Sequence, residues 1–215
     1  MARRKPPGRA PHPAKSRSSN NNSPTSGELR IIGGDWRSRK LRFPATGGVR
    51  PSPARTRETL FNWLAMHLPA ARCLDLFAGS GALGLEALSR GAAHATLVDH
   101  TQSLARALQE NLRLLDCTDG QVLCQDVHRF LASRQMEPFD IIFMDPPFRQ
   151  GWLETLLPLI EQQQWLKPGG WVYVEHESEL AGLAAPPGWQ LHRQKSAGQV
   201  TYNLFRRIPD EAAAQ

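Results

Sequence analysis

The chain has 215 residues, enough for one well-buried core, and its net charge of +6 is spread unevenly. Residues 1–27 hold six basic residues and no acid, residues 28–57 hold eight basic and two acidic ones, and residues 58–215 hold 12 basic and 18 acidic. No run approaches the ~18 apolar residues of a membrane span and no apolar stretch follows the basic N-terminus, which excludes a membrane-spanning or secreted reading and leaves a soluble protein with a basic front and an acidic body.

Residues 1–27 are rich in Pro, Ser, Asn and Arg and cannot bury enough apolar surface to offset chain entropy, so a disordered basic leader is expected. Leu29–Ile32 and Trp36–Phe43 flank Gly33-Gly34-Asp35, the turn chemistry of a β-hairpin. Ser52-Pro53 places a capping hydroxyl before a proline suited to the first helical position. Leu60, Phe61, Trp63, Leu64 and Leu68 then supply a helical apolar face.

From about residue 72, short apolar strands (73–77, 95–98, 122–123, 139–144) alternate with helices (81–90, 101–115, 127–134, 151–164). Repeated βα units specify a mostly parallel sheet with helices on both faces. Lys167-Pro168-Gly169-Gly170 reads as a turn into a strand at 171–174, and 190–195 with 200–206 reads as an antiparallel hairpin. The expected organisation is the leader, a basic, nucleic-acid-binding hairpin and helix extension at 28–70, an α/β domain at 71–208 and a frayed tail at 209–215. Cys73, Cys117 and Cys124 are odd in number and lack metal-like spacing, so they read as reduced core thiols in a cytoplasmic protein. The histidines 67, 94, 128 and 176 also lack ligand spacing, and no metal is expected.

Asp145-Pro146-Pro147-Phe148 follows the apolar run Ile141–Met144, so a carboxylate and a rigid double-proline turn stand at the exit of a buried strand. The prolines fix φ and lack donors, leaving the Asp145 carboxylate and the Pro146 carbonyl as paired acceptors suited to a substrate amino group. Asp75-Leu-Phe-Ala-Gly79-Ser-Gly81-Ala-Leu-Gly84 joins the first core strand to its helix, the context a glycine-rich cofactor loop requires. Asp99 ends the next strand, where a carboxylate can accept from ribose hydroxyls, and Asp126 follows the third, where it either reaches an adenine amine or caps the helix at Val127. The glycine loop alone fits a dinucleotide or S-adenosylmethionine. Asp75 four residues before Gly79, the Asp-Pro-Pro-Phe turn and a chain too short for a separate dehydrogenase domain favour the second.

Arg30-Ile-Ile-Gly-Gly34, Arg50-Pro51 with Arg57-Glu-Thr-Leu-Phe-Asn-Trp63, Asp75–Gly91, Asp145-Pro-Pro-Phe148 and Ala197-Gly-Gln-Val200 together span residues 29 to 206. In these stretches the chain resembles the class I methyltransferases of the RsmD type, which modify guanine N2 in bacterial 16S ribosomal RNA. The resemblance implies a Rossmann-like, seven-stranded α/β fold and a monomer that uses S-adenosylmethionine and no metal to methylate guanine 966 in the small ribosomal subunit or its assembly intermediate. It places the cofactor on Asp75, Phe77, Gly79, Gly81, Gly84, Asp99 and Asp126, and the chemistry on Asp145, Pro146, Pro147 and Phe148. RNA phosphates would meet Arg37, Arg39, Lys40, Arg42, Arg50, Arg55 and Arg57. The chain departs from the family in Ser52, where Thr is frequent after Arg-Pro, in Asp99, where Glu is common, and in its long basic leader. The competing readings are a DNA adenine or cytosine amino-methyltransferase and a non-catalytic RNA-binding assembly factor. An intact glycine loop beside an intact Asp145 turn argues against the pure binder.

Overall fold

A computed structural model describes residues 26–46, 51–133, 137–180 and 182–209. The expected leader up to residue 25, Arg50 and the tail from 210 lie outside the described residues. Ser26 and Gly27, assigned above to the leader, already belong to the first strand.

Seven strands form one sheet: β3 (Arg72–Asp75), β4 (His94–Asp99), β5 (Gly120–Cys124), β6 (Phe139–Met144), β7 (Leu166–Glu177), β8 (Trp189–Ala197) and β9 (Val200–Arg207). Their order is β5-β4-β3-β6-β7-β9-β8; β3 to β7 run parallel, and β9 enters antiparallel between β7 and β8. Alternation along each buried strand divides the apolar side chains between two cores. Cys73, Ile141, Phe143 and Tyr173 face one core with helices α1 (Ala54–Trp63), α2 (Gly84–Ser89) and α3 (Gln102–Leu114). Leu74, Ile142, Met144, Val172 and Val174 face the other with α4 (Val127–Leu131) and α5 (Trp152–Gln162). Leu104, Leu108 and Leu112 recur every fourth residue and give α3 its buried stripe. Each such side chain contributes about 1.5–3 kcal/mol by leaving water. Cys73 is in this core, but Cys124 is exposed, contrary to the expectation of three core thiols, because its strand β5 is the sheet edge.

The N-terminal strands β1 (Ser26–Arg30) and β2 (Lys40–Pro44) pair antiparallel as a separate two-stranded sheet. Leu29, Ile31, Leu41 and Phe43 are buried in the same core as α2 and α3. Gly33-Gly34-Asp35 is not the tight turn expected from the sequence. Residues 31–39 form a longer loop, closed by bonds from Ile31 N to Arg39 O (3.0 Å) and from Ser38 N to Ile31 O (2.9 Å). The glycines serve a close approach: Asp35 N donates to Ser89 O at 2.7 Å, and a Cβ on Gly34, whose φ is +74°, would stand 1.7 Å from that oxygen. A glycine pair signals both a tight turn and a close backbone approach, and the packing against α2 decides between them.

Two other local readings change. Pro53, not Ser52, is the N-cap of α1, with no side-chain cap bond, and the Ser52 hydroxyl points elsewhere. Lys167–Gly170 is no turn between elements but a bulge within β7, since Phe139 pairs with Leu166 and Ile141 with Trp171. Pro168 has no donor to give the ladder and Gly169 takes φ +78°, so the extra residues leave the register while pairing resumes beyond them.

Candidate active site

The carboxyl ends of β3, β4 and β6 bring Asp75, Asp99 and Asp145 to one cavity of about 440 Å³, within the range of small-molecule sites. Phe77, Gly79, Pro146, Pro147 and Phe148 also line it. Gly81 and Gly84 do not line it and instead permit close packing behind the loop. Gly81 holds φ +82°, and a Cβ there would press on Leu85 at 2.5 Å and Leu108 at 2.7 Å. Asp126 is not part of the lining; its carboxylate caps α4 by accepting from Arg129 N at 3.0 Å.

Asp75 is 2% exposed. Its Oδ2 accepts from Gly84 N at 2.9 Å, while Oδ1 is buried with no partner among the described residues. Burial pushes its carboxyl up to about 7 against the pull of the Gly84 amide and a weaker one from the Phe77 amide, which falls short of a formed hydrogen bond to Oδ1; the charges of Asp145 and Asp99 add to the rise. Asp99 accepts from Gly79 N at 2.9 Å and Thr101 N at 2.7 Å, so it fixes both the glycine loop and the start of α3. A carboxylate oxygen held by one amide retains a further lone pair for a hydroxyl.

Asp145 accepts the Ser52 hydroxyl at Oδ2, 3.0 Å away. Burial raises its carboxyl to about 6, and the serine bond opposes the shift. Beside it on β7, Glu175 accepts the Tyr173 hydroxyl at 2.9 Å. Burial first, then the Asp145 charge, raises Glu175 to about 7. Ser52, Tyr173 and Glu175 were missed by sequence reasoning. Glu175 left a signal, since Trp171, Tyr173 and Glu175 alternate along one buried strand face and an acid there breaks the pattern.

The basic residues divide. Arg57 does not face solvent: it is 4% exposed, pairs with Glu86 at 3.3 Å, and donates to Arg30 O and Ser52 O. Its expected phosphate role is overturned by that burial. Arg37, Arg39, Lys40, Arg42 and Arg55 are exposed, with Lys40 paired to Glu28 at 2.9 Å and Arg39 donating to Leu114 O. None of these cations lines the cavity.

Three carboxylates, with neither Lys nor Arg in the lining among the described residues, make a site for a cationic ligand, and a pyrophosphate would be repelled. The Gly84 amide at the start of α2 is already taken by Asp75 and is not offered to a phosphate. Among the described residues no group of three His, Cys, Asp or Glu side chains could hold a metal ion, and no helix is long and apolar enough to cross a membrane.

Numbered within the main sheet, the strand order is 3-2-1-4-5-7-6 with the seventh strand antiparallel, and the acids sit at the carboxyl ends. This is the class I methyltransferase fold. The family model described as conserved hypothetical protein 95 matches residues 29–206. Ribosomal RNA small subunit methyltransferase D of Escherichia coli is 50% identical over 182 residues, covering 85% of this chain and 91% of that protein. Its namesake in Haemophilus influenzae is 43% identical over 183 residues, covering 84% and 94%. Among solved structures, the putative methyltransferase yhhF from Escherichia coli superposes with a TM-score of 0.80 at 47% identity, over 86% of this chain and all (100%) of that one. The chain belongs to the ribosomal RNA small subunit methyltransferase D family.

Proposed function

We propose that this protein transfers a methyl group from S-adenosylmethionine to the exocyclic N2 amine of a guanine, at position 966, in 16S ribosomal RNA of the small subunit. The observation that carries the reading is the Asp145-Pro146 acceptor pair on the wall of a cavity lined by three carboxylates and, among the described residues, by neither Lys nor Arg. When bound, the cofactor supplies an activated methyl on a cationic sulfonium. Asp75, with an unpartnered buried oxygen, would hold its ammonium, and Asp99 would accept from its ribose hydroxyls. Both tasks suit the geometry, because the site needs cationic charge and the relevant oxygens have lone pairs to give.

A guanine amine is a poor nucleophile because its lone pair is delocalised into the ring. Asp145 and the Pro146 carbonyl accept its two hydrogens and turn that lone pair toward the methyl group, so positioning provides much of the rate. The proton released on methylation passes to the Asp145 carboxylate. Phe148, 39% exposed on the cavity lining, is placed to stack on a base that has left its RNA stack. Arg37, Arg39, Lys40, Arg42 and Arg55, with Arg50 beyond the described residues, would meet phosphates. Residues 28–70 thus act as an RNA-binding extension of a cytoplasmic, monomeric enzyme. Names of the family members support ribosomal RNA as substrate.

The test is methyl transfer from labelled S-adenosylmethionine to small subunits lacking the modification, with the labelled nucleotide identified by mass spectrometry. Label on guanine N2 is expected; transfer to DNA alone would replace this reading with a DNA amino-methyltransferase.

Asp75 also predicts a pH dependence of cofactor binding. Its carboxyl is raised to about 7 in the free protein, and only its ionised form pairs with an ammonium. Affinity should therefore fall by up to about tenfold for each pH unit below about 7, with proton release on binding in that range. Calorimetry in buffers of different ionisation enthalpy measures both, and Asp75→Asn should bind more weakly with neither effect. An affinity constant across that range would remove Asp75 from the ammonium site.

A further inference from the structure

Behind Asp145 lies a second buried acid for which the reaction above has no use. Glu175 is 4% exposed and sits on β7 opposite Tyr202 of β9. Its Oε1 takes the Tyr173 hydroxyl at 2.9 Å, and the buried Ser52 hydroxyl donates to Asp145 Oδ2 at 3.0 Å. The parallel pairing of Met144 with Val174 sets Asp145 and Glu175 side by side at the ends of neighbouring strands, where the Asp145 charge opposes that of Glu175 and the Ser52 hydroxyl favours it. Among the described residues, the donors to this pair of carboxylates are therefore two hydroxyl hydrogens.

Among the described residues, the cation that shares a cavity with Glu175 is Arg149, which lines it with Glu154, His176 and Glu177 but is engaged by Glu179 at 3.1 Å; the other titratable groups facing the pair are acids and phenols. They are Asp145 at the end of β6, Tyr173 on β7 and, against Tyr173, Tyr202 on β9; Asp75 at the end of β3 faces Asp145. Arg57, the buried cation of α1, is engaged by Glu86. Two adjacent charges without a counter-ion are costly, and one proton on the pair removes that cost. Ser52 has a single hydrogen, already directed to Asp145, so its oxygen remains an acceptor. Only a protonated Glu175 can donate to it. An ionised Glu175 would compete with Asp145 for the serine hydrogen.

We propose that Glu175 is a positioning residue that works as a neutral carboxylic acid: it donates to Ser52 Oγ, Ser52 donates to Asp145 Oδ2, and the string leaves Asp145 Oδ1 free to accept the substrate amine. This rests on the role given to Asp145 above. Tyr173 anchors the far end of the string. Burial raises both carboxyls, the charge of Asp145 raises Glu175 further, and Asp145 holds the serine hydrogen at 3.0 Å, so Asp145 is the acid that ionises first.

The test compares wild type, Glu175→Ala and Glu175→Gln as full chains on small subunits, with kcat measured against pH and cofactor affinity measured alongside. Wild-type kcat should fall as pH rises through about 7, where Glu175 gives up its proton. E175A should lose up to roughly tenfold in kcat with cofactor affinity retained, as expected for one lost neutral hydrogen bond. E175Q can donate to Ser52 and accept from Tyr173, so it should recover most of that loss and show no alkaline fall. If E175A does not fold, the E175Q profile decides alone. Wild-type kcat in E175A, an E175Q that keeps the alkaline fall, or a wild type without one would overturn the proposal. A wild type that methylates no guanine would instead overturn the reading of the site itself.

Discussion

Asp145→Ala is expected to lower methyl transfer by about a hundred- to a thousandfold, the range for removing one preorganised polar group from the reacting centre. Cofactor affinity should stay within about threefold, because the amide bonds of Asp75 and Asp99 to Gly84, Gly79 and Thr101 do not involve Asp145. The substitution also removes a charge that opposes ionisation of Glu175 and Asp75, so the folded state should be no less stable at neutral pH. That combination separates chemistry from folding. Asp145→Asn sharpens the comparison, since the amide keeps the shape and one acceptor oxygen but carries no charge to receive the amine proton. Single-turnover rates with saturating cofactor measure the loss, and a D145A rate equal to wild type would end the case for Asp145 as the amine acceptor.

What the sequence made legible was set by local periodicity. Asp75, Asp99 and Asp145 follow apolar runs, and a residue leaving a parallel strand at its carboxyl end enters the site by geometry alone. Asp126 satisfies the same rule, yet it caps α4, because a short carboxylate three residues before a free helical amide closes on that amide. The parts that stayed hidden depend on distant pairings. Ser52 reads as a helix cap because Pro53 follows it, and its partner Asp145 is 93 residues away. Arg57 stands in a stretch of charge +6 and reads as a phosphate ligand, whereas its acceptor Glu86 belongs to α2. Nothing in local spacing distinguishes an arginine facing RNA from one buried beneath the hairpin, since both need only the same residue type.

Glu86 carries the other large effect, on stability. It is wholly buried and accepts four bonds: from Ile32 N and Gly33 N at 2.8 Å each, Arg90 Nε at 2.7 Å and Arg57 Nη1 at 3.3 Å. One carboxylate thereby ties the hairpin loop, α1 and α2 together, and Arg90 also packs over the Phe61 ring at 5.0 Å. Glu86→Ala leaves two amides without acceptors and the buried Arg57 guanidinium without its counter-charge. Breaking a buried pair by removing one partner costs about 3–5 kcal/mol. At about 2–4 °C per kcal/mol for a protein of this size, Tm should fall by about 10 °C. Glu86→Gln should recover little, because the amide restores shape but not the charge that Arg57 and Arg90 share. Below its melting point the E86A protein should bind RNA more weakly than wild type, since the loop bearing Arg37 and Arg39 loses its tether, while cofactor binding persists. An E86A protein that melts with the wild type would show that the apolar contacts of Leu29, Ile31, Leu41 and Phe43 hold the hairpin without Glu86, and the ion pair would then serve only to neutralise Arg57.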